Sequence, residues 1–144
     1  MRDHSEPWKI RWALILLLAG GGLTLLVDGY AQGGGSEVYL SRSGKFMAHY
    51  SSELDPLVIN RIHYGVLQLE TRSGAAVDGA RIRITGGMPE HKHGLPTQPE
   101  VTRYLGDGKY LIEGLRFHMQ GAWELLITIE VDGTQDIIRI PLQL

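Results

Sequence analysis

From Lys45 to the end of the chain, apolar residues recur at every second position and not at helical spacing. Ala80, Ile82 and Ile84 alternate with Arg81, Arg83 and Thr85, and Trp123, Leu125, Ile127, Ile129 and Val131 alternate with Glu124, Leu126, Thr128, Glu130 and Asp132. A period of two places one set of side chains on one face of an extended chain, so each run predicts a half-buried strand. The same pattern predicts strands at 46–51, 62–71, 101–105, 109–117 and 136–142, which makes seven. Arg72-Ser73-Gly74, Asp78-Gly79, Gly106-Asp107-Gly108 and Asp132-Gly133 punctuate them with residues that tolerate positive φ and close tight turns. Consecutive strands are then mostly antiparallel neighbours. The expected fold is all-β, an immunoglobulin-like antiparallel β-sandwich of about seven strands, with Ile82, Ile84, Tyr110, Ile112, Trp123, Leu125, Ile127 and Ile138 in its core.

The N-terminal part follows another pattern. Trp12 to Val27 is an uncharged apolar run of sixteen residues, preceded by Arg2, Lys9 and Arg11 mixed with Asp3 and Glu6, and ended by Asp28. The run predicts an apolar helix, shorter than the roughly 20 residues that a full span wants. Gly29-Tyr30-Ala31 follows it, with small residues where a signal peptidase inspects the chain. Residues 1–31 therefore read as a signal peptide or a retained membrane anchor, a buried core helix being the remaining alternative. Under the first two readings the rest of the chain lies outside the cytoplasm, in the periplasm or on the outer face of the cytoplasmic membrane. Residues 32–43, with Gly33-Gly34-Gly35-Ser36, read as a flexible linker, and residues 44–144 as the domain.

Composition narrows the chemistry. With 14 Lys plus Arg against 16 Asp plus Glu, the net charge is −2, and no basic face is available to release phosphate counterions, so no nucleic-acid partner is expected. The absence of cysteine removes disulfides, thiolate zinc sites and cysteine nucleophiles, leaving His, Met, carboxylate or backbone for any metal. The chain has no serine on a strained glycine turn and no phosphate-cradling loop opening a helix. Glu90, beside His91, would serve as a base toward metal-bound water only with further hard ligands. An enzyme is not expected.

Gly86 to Pro99 breaks the economy of short turns: fourteen residues with three prolines and three glycines. Connections of this length inside a compact domain usually carry function. His91 and His93 stand at i and i+2, so extended backbone would point both imidazoles to one side, and Met88 lies three residues upstream. His118-Met119 forms a second cluster at the end of a predicted strand. If that strand end folds against the proline-rich loop, imidazoles and thioethers converge. Thioether is a soft donor that favours Cu(I), whereas imidazole suits both oxidation states and hard cations want carboxylates. Copper is therefore the expected ligand. Against this, His91 and His93 can serve only to hydrogen-bond their own loop, Met119 to fill the core, and His63 to sit as a satisfied core histidine.

The segments Met88-Pro89-Glu90-His91-Lys92-His93-Gly94, Gly108-Lys109-Tyr110 and Phe117-His118-Met119-Gln120-Gly121-Ala122-Trp123 occur in that order, and together they resemble the YtkA-like domain family. That resemblance, which includes FixH-like relatives, implies an exported or membrane-anchored immunoglobulin-like domain associated with copper handling or oxidase assembly. It marks Met88, His91, His93 and Met119 as the binding set; His118 fills the variable place beside the matched Met119, and the resemblance does not mark it as a ligand. Ala122 stands where a second aromatic is frequent in the family.

Two functions remain in view. The first is a copper carrier or metalloenzyme assembly factor that binds Cu(I), Cu(II) or both through Met88, His91, His93, His118 and Met119, and serves a copper-dependent membrane enzyme or its assembly machinery. The second is a metal-free module whose proline-rich loop and Arg81/Arg83 face dock a membrane protein.

Overall fold

The computed structural model describes residues 37–144. The apolar run, with the signal peptide, anchor or helix expected of it, lies outside the described residues, as do linker residues 32–36. Among the described residues there is no helix long and apolar enough to cross a membrane.

The described residues form nine strands: β1 (Val38–Leu40), β2 (Phe46–Ser52), β3 (His63–Thr71), β4 (Arg81–Met88), β5 (His93–Gly94), β6 (Glu100–Gly106), β7 (Lys109–Leu115), β8 (Ala122–Val131) and β9 (Thr134–Gln143). The seven expected strands are β2, β3, β4, β6, β7, β8 and β9. They lie in two antiparallel sheets, one ordered β1-β2-β3-β7-β6 and the other β5-β4-β8-β9. The fold is all-β.

Alternation sets which side of each sheet is buried. Phe46 and Ala48 on β2, Leu67 and Leu69 on β3, and Tyr110 and Ile112 on β7 meet Ile84 on β4, Leu125, Ile127 and Ile129 on β8, and Ile138 and Ile140 on β9. Seven of the eight core residues expected from the pattern are buried, and Ile82 packs against them half-buried. The Ile84↔Ile127 and Ile127↔Ile138 pairs place three isoleucines side by side across one sheet, where a single register slip would turn them all to solvent. Tyr110 ties β7 to the connection that leads from β3 to β4: its hydroxyl donates to the Val77 carbonyl at 2.7 Å and accepts from the Ala80 N–H at 3.0 Å.

Two elements differ from expectation. Strand pairing begins at Val38, inside the stretch read as linker, because Tyr39 lies opposite Ala48 and packs on the core. Ser41 then bridges to Ile138 in the other sheet. The second difference is in the proline-rich connection, whose first half is a hairpin: Met88 pairs with His93 and Gly87 with Gly94. A Cβ on Gly87 would fall inside the van der Waals envelope of the His93 carbonyl oxygen. Glycine there lets β5 close onto β4, the usual meaning of glycine inside a strand.

Candidate functional site

Three connections meet at the end of the sandwich where β4 finishes and β8 begins. The β4–β5 hairpin turns over Pro89 to Lys92, with Lys92 at a φ of 54°. Arg116 to Gly121 carries the chain from one sheet to the other. The segment between β2 and β3 lies alongside, through the Asn60 N–H donating to the Phe117 carbonyl at 2.7 Å and Arg116 donating to the Asn60 side chain at 3.1 Å.

Phe117 plugs this end. It is wholly buried and packs against Trp123 with ring centroids 5.2 Å apart and against His63 at 5.6 Å. His118, next in the chain, is half-buried, its ring packed edgewise against Trp123 with centroids 5.4 Å apart at 74°. The His118 Nδ1 atom is buried with no hydrogen-bond partner. A buried nitrogen left unpaired costs about 1–3 kcal/mol unless something binds it. The His93 ring stands edge-on to His118, 6.0 Å away at 87°.

Two methionines lie on the segments that reach this end. Met88 is the last residue of β4, only 2 % exposed, and the Cα partner of His93. Directly opposed strand residues hold their Cβ atoms about 4.5–5.5 Å apart on one face, so the Met88 side chain leaves the backbone beside that of His93. Met119 follows His118 in the chain and packs half-buried against the core, and its carbonyl accepts the Trp123 indole N–H at 3.0 Å. Trp123 therefore contacts the ring of one candidate ligand and the backbone of the next.

His91 is placed differently. The expectation that His91 and His93 face one side assumed extended backbone, and the hairpin turn removes that premise. His91 sits on the turn, exposed, with its N–H donating to the Met88 carbonyl at 3.1 Å. Two of the three imidazoles come together and the third stands outside them. Among the described residues no group of three or more His, Asp or Glu side chains is arranged to hold an ion.

His63 is the core histidine expected from its strand face, 3 % exposed, with Nδ1 placed 3.2 Å from the Arg61 carbonyl. Its Nε2 is buried and unpartnered, so it is only half satisfied. The Arg81/Arg83 face lines a groove of about 610 Å³ with Gln98, Glu100 and Glu130. Arg81 pairs with Glu130 at 3.3 Å, which offsets part of the positive charge. Sequence reasoning missed the role of Trp123 against His118 and Met119. The signal was present in the spacing of the two residues from Trp123, but one-dimensional alternation assigned Trp123 to the core and stopped there.

The described residues form a class of domain: all-β, of two antiparallel sheets, with the rings of His93 and His118 in contact at one end. The YtkA-like family model matches residues 58–128, and over that stretch the chain is similar to the YtkA-like family. All five candidate residues fall within it. No curated protein and no solved structure matches the chain.

Proposed function

We propose that the protein binds copper at the end of the sandwich and acts as a carrier or assembly factor, and not as an enzyme. His93 and His118 supply imidazoles, Met88 and Met119 supply thioethers, and His91 on the exposed turn supplies a further imidazole at the rim. The observation that carries this reading is the buried, unpartnered Nδ1 of His118 beside the ring of His93. A purely structural histidine would gain by pairing that nitrogen. A metal ion satisfies it, and the mixture of imidazole with thioether is soft enough to hold Cu(I) while still suiting Cu(II).

The wider reading is an immunoglobulin-like domain placed outside the cytoplasm by the N-terminal segment, as a cleaved export signal or a membrane anchor, and delivering copper to a membrane enzyme or its assembly machinery. Strand order supports the first part. Taking β2, β3, β7 and β6 as A, B, E and D, and β4, β8 and β9 as C, F and G, gives the order of constant-type immunoglobulin sheets, with β1 and β5 added at edges. The YtkA-like match and the apolar run Trp12 to Val27 support the second.

Anaerobic titration of the full chain with Cu(I), and aerobic titration with Cu(II), tests the site against a His93→Ala/His118→Ala variant. Stoichiometric binding lost in the variant, with unchanged far-UV circular dichroism, supports the reading. Failure of the parent to bind either ion overturns it and favours the metal-free docking module.

A further inference from the structure

The side of β4 that faces away from β8 is covered over only part of its length. β5 pairs there with Gly87 and Met88, and the Leu95 N–H donates to the Gly86 carbonyl at 3.1 Å. In an antiparallel strand the N–H and C=O of one residue point to the same side, and successive residues alternate. Since Gly86 points away from β8, Ile84 and Ile82 do so as well, for no register shift interrupts the pairing of β4 with β8 between Arg81 and Gly87. Among the described residues no strand pairs with β4 at Ile82 and Ile84 on that side. Their two N–H and two C=O groups stand in a row, the arrangement on which a further strand can pair.

This edge borders the groove of about 610 Å³, whose other wall is Gln98 to Val101. Alternation gives the edge two different sides. Ile82 and Ile84 turn toward the core, where Val101 also packs half-buried, while Arg81, Arg83 and Thr85 lie exposed on the outer face. Arg81 is engaged by Glu130 at 3.3 Å, whereas Arg83 forms no ion pair among the described residues. Charged residues on an edge strand ordinarily prevent pairing. Here they do so against a second copy: two chains joined antiparallel through Ile82 and Ile84 would set their Arg83 side chains opposite each other, and like charges so placed repel. A strand with an acidic residue at that position removes the repulsion and gains an ion pair.

We propose that the uncovered edge of β4 docks an extended segment of a partner protein in which apolar residues alternate with acidic ones. The segment runs antiparallel to β4, as β5 does on the same edge. Its apolar residues stand opposite Ile82 and Ile84, exchange backbone hydrogen bonds with them and enter the groove on the side of Val101. Its acidic residues stand opposite Arg81 and Arg83 on the outer face, with their own N–H groups turned away from β4. The backbone bonds supply affinity and the alternate side chains specificity, as in strand addition generally. None of the five candidate copper ligands lines this groove, so the proposal is independent of the copper reading.

The test uses the full chain and short synthetic peptides, capped at both ends, of alternating valine and glutamate or of alternating valine and lysine. In the free protein the Ile82 and Ile84 amides should exchange with solvent faster than those of Ile127 and Ile129, which lie on a strand paired on both sides. The glutamate peptide is expected to bind at least about threefold more tightly than the lysine peptide and to slow exchange at Ile82 and Ile84 about tenfold or more. Arg83→Glu, at an exposed position, should reverse the order of the two peptides. N-methylation of the valines, whose N–H groups face β4, should abolish binding, and N-methylation of the glutamates should not. Ile82 and Ile84 amides already as protected as that of Ile127 in the free protein overturn the proposal. So does a glutamate peptide that fails to bind, equal binding of the two peptides by the parent, an order unchanged by Arg83→Glu, or equal effects of the two methylation patterns.

Discussion

The rings of His93 and His118 stand edge to face with centroids 6.0 Å apart, although one belongs to the edge strand β5 and the other to the crossover between the sheets. Each ring reaches this position for a different reason. His93 is placed by its backbone pairing with Met88, and His118 by its edgewise packing against the indole of Trp123. Neither reason involves the other histidine, so the pair is a product of the fold.

Removing either ring should therefore affect copper in the same way. His93→Ala and His118→Ala are each expected to lower copper affinity, and the double variant to lose less than the sum of the two, as residues sharing one ligand do. His91→Ala should have a smaller effect, since His91 lies on the turn while the rings of His93 and His118 are in contact. Competition titrations against a chelator of known affinity measure all four. A His91 effect as large as that of His118 would move the centre of the site to the turn.

Trp123 joins the core to the site. Trp123→Ala should cost about 3–5 kcal/mol, as large aromatic truncations do in cores, with the unfolding midpoint in urea falling accordingly. Trp123→Phe keeps the apolar ring but removes the N–H that the Met119 carbonyl accepts, a net loss of about 1 kcal/mol. A Trp123→Ala protein as stable as the parent would contradict the buried position of the indole.

Tyr110 links β7 to the connection between β3 and β4. Tyr110→Phe leaves the Ala80 N–H and the Val77 carbonyl without their partner, so it should destabilise the protein by about 1–3 kcal/mol. Equilibrium unfolding in urea checks it. Unchanged stability would show that solvent replaces the hydroxyl.

Acid should attack a different place. Burial pushes the Asp136 carboxyl up, but hydrogen bonds from the Ser43 and Ser41 hydroxyls and from the Ile137 and Ser43 N–H groups outweigh it, and the net shift is below the ordinary aspartate value. A carboxylate depressed in the folded state contributes stability that is fully present above its unfolded pKa, about 3.9, and is lost as pH falls through the folded value. The turn between β1 and β2 is thus held at neutral pH and released in acid. Asp136→Asn is expected to lower stability at neutral pH by about 1–3 kcal/mol and to flatten the acid limb of the curve of stability against pH. Parallel curves for parent and variant would show that Asp136 is not responsible for that limb.

Alternation alone determined the seven principal strands, their inward residues and the all-β class, because a strand buried on one face must repeat every second residue wherever it sits. It also identified the segments that hold the candidate ligands, since a connection with three prolines and two histidines is conspicuous among short turns. It missed β1, whose three residues are too few to show a period and whose pairing depends on Ala48 across the sheet. It also treated the loop around His91 as extended, where glycine at position 87 allows a close hairpin. Tertiary structure decided the rest: which two imidazoles meet, that Trp123 contacts both His118 and Met119, and that Gly121 leaves room for the Met88 methyl. Those relationships join β4, β5 and β8 to the connection that leads into β8, and a repeat of two residues carries no information about which segments distant in the chain share one end of a sandwich.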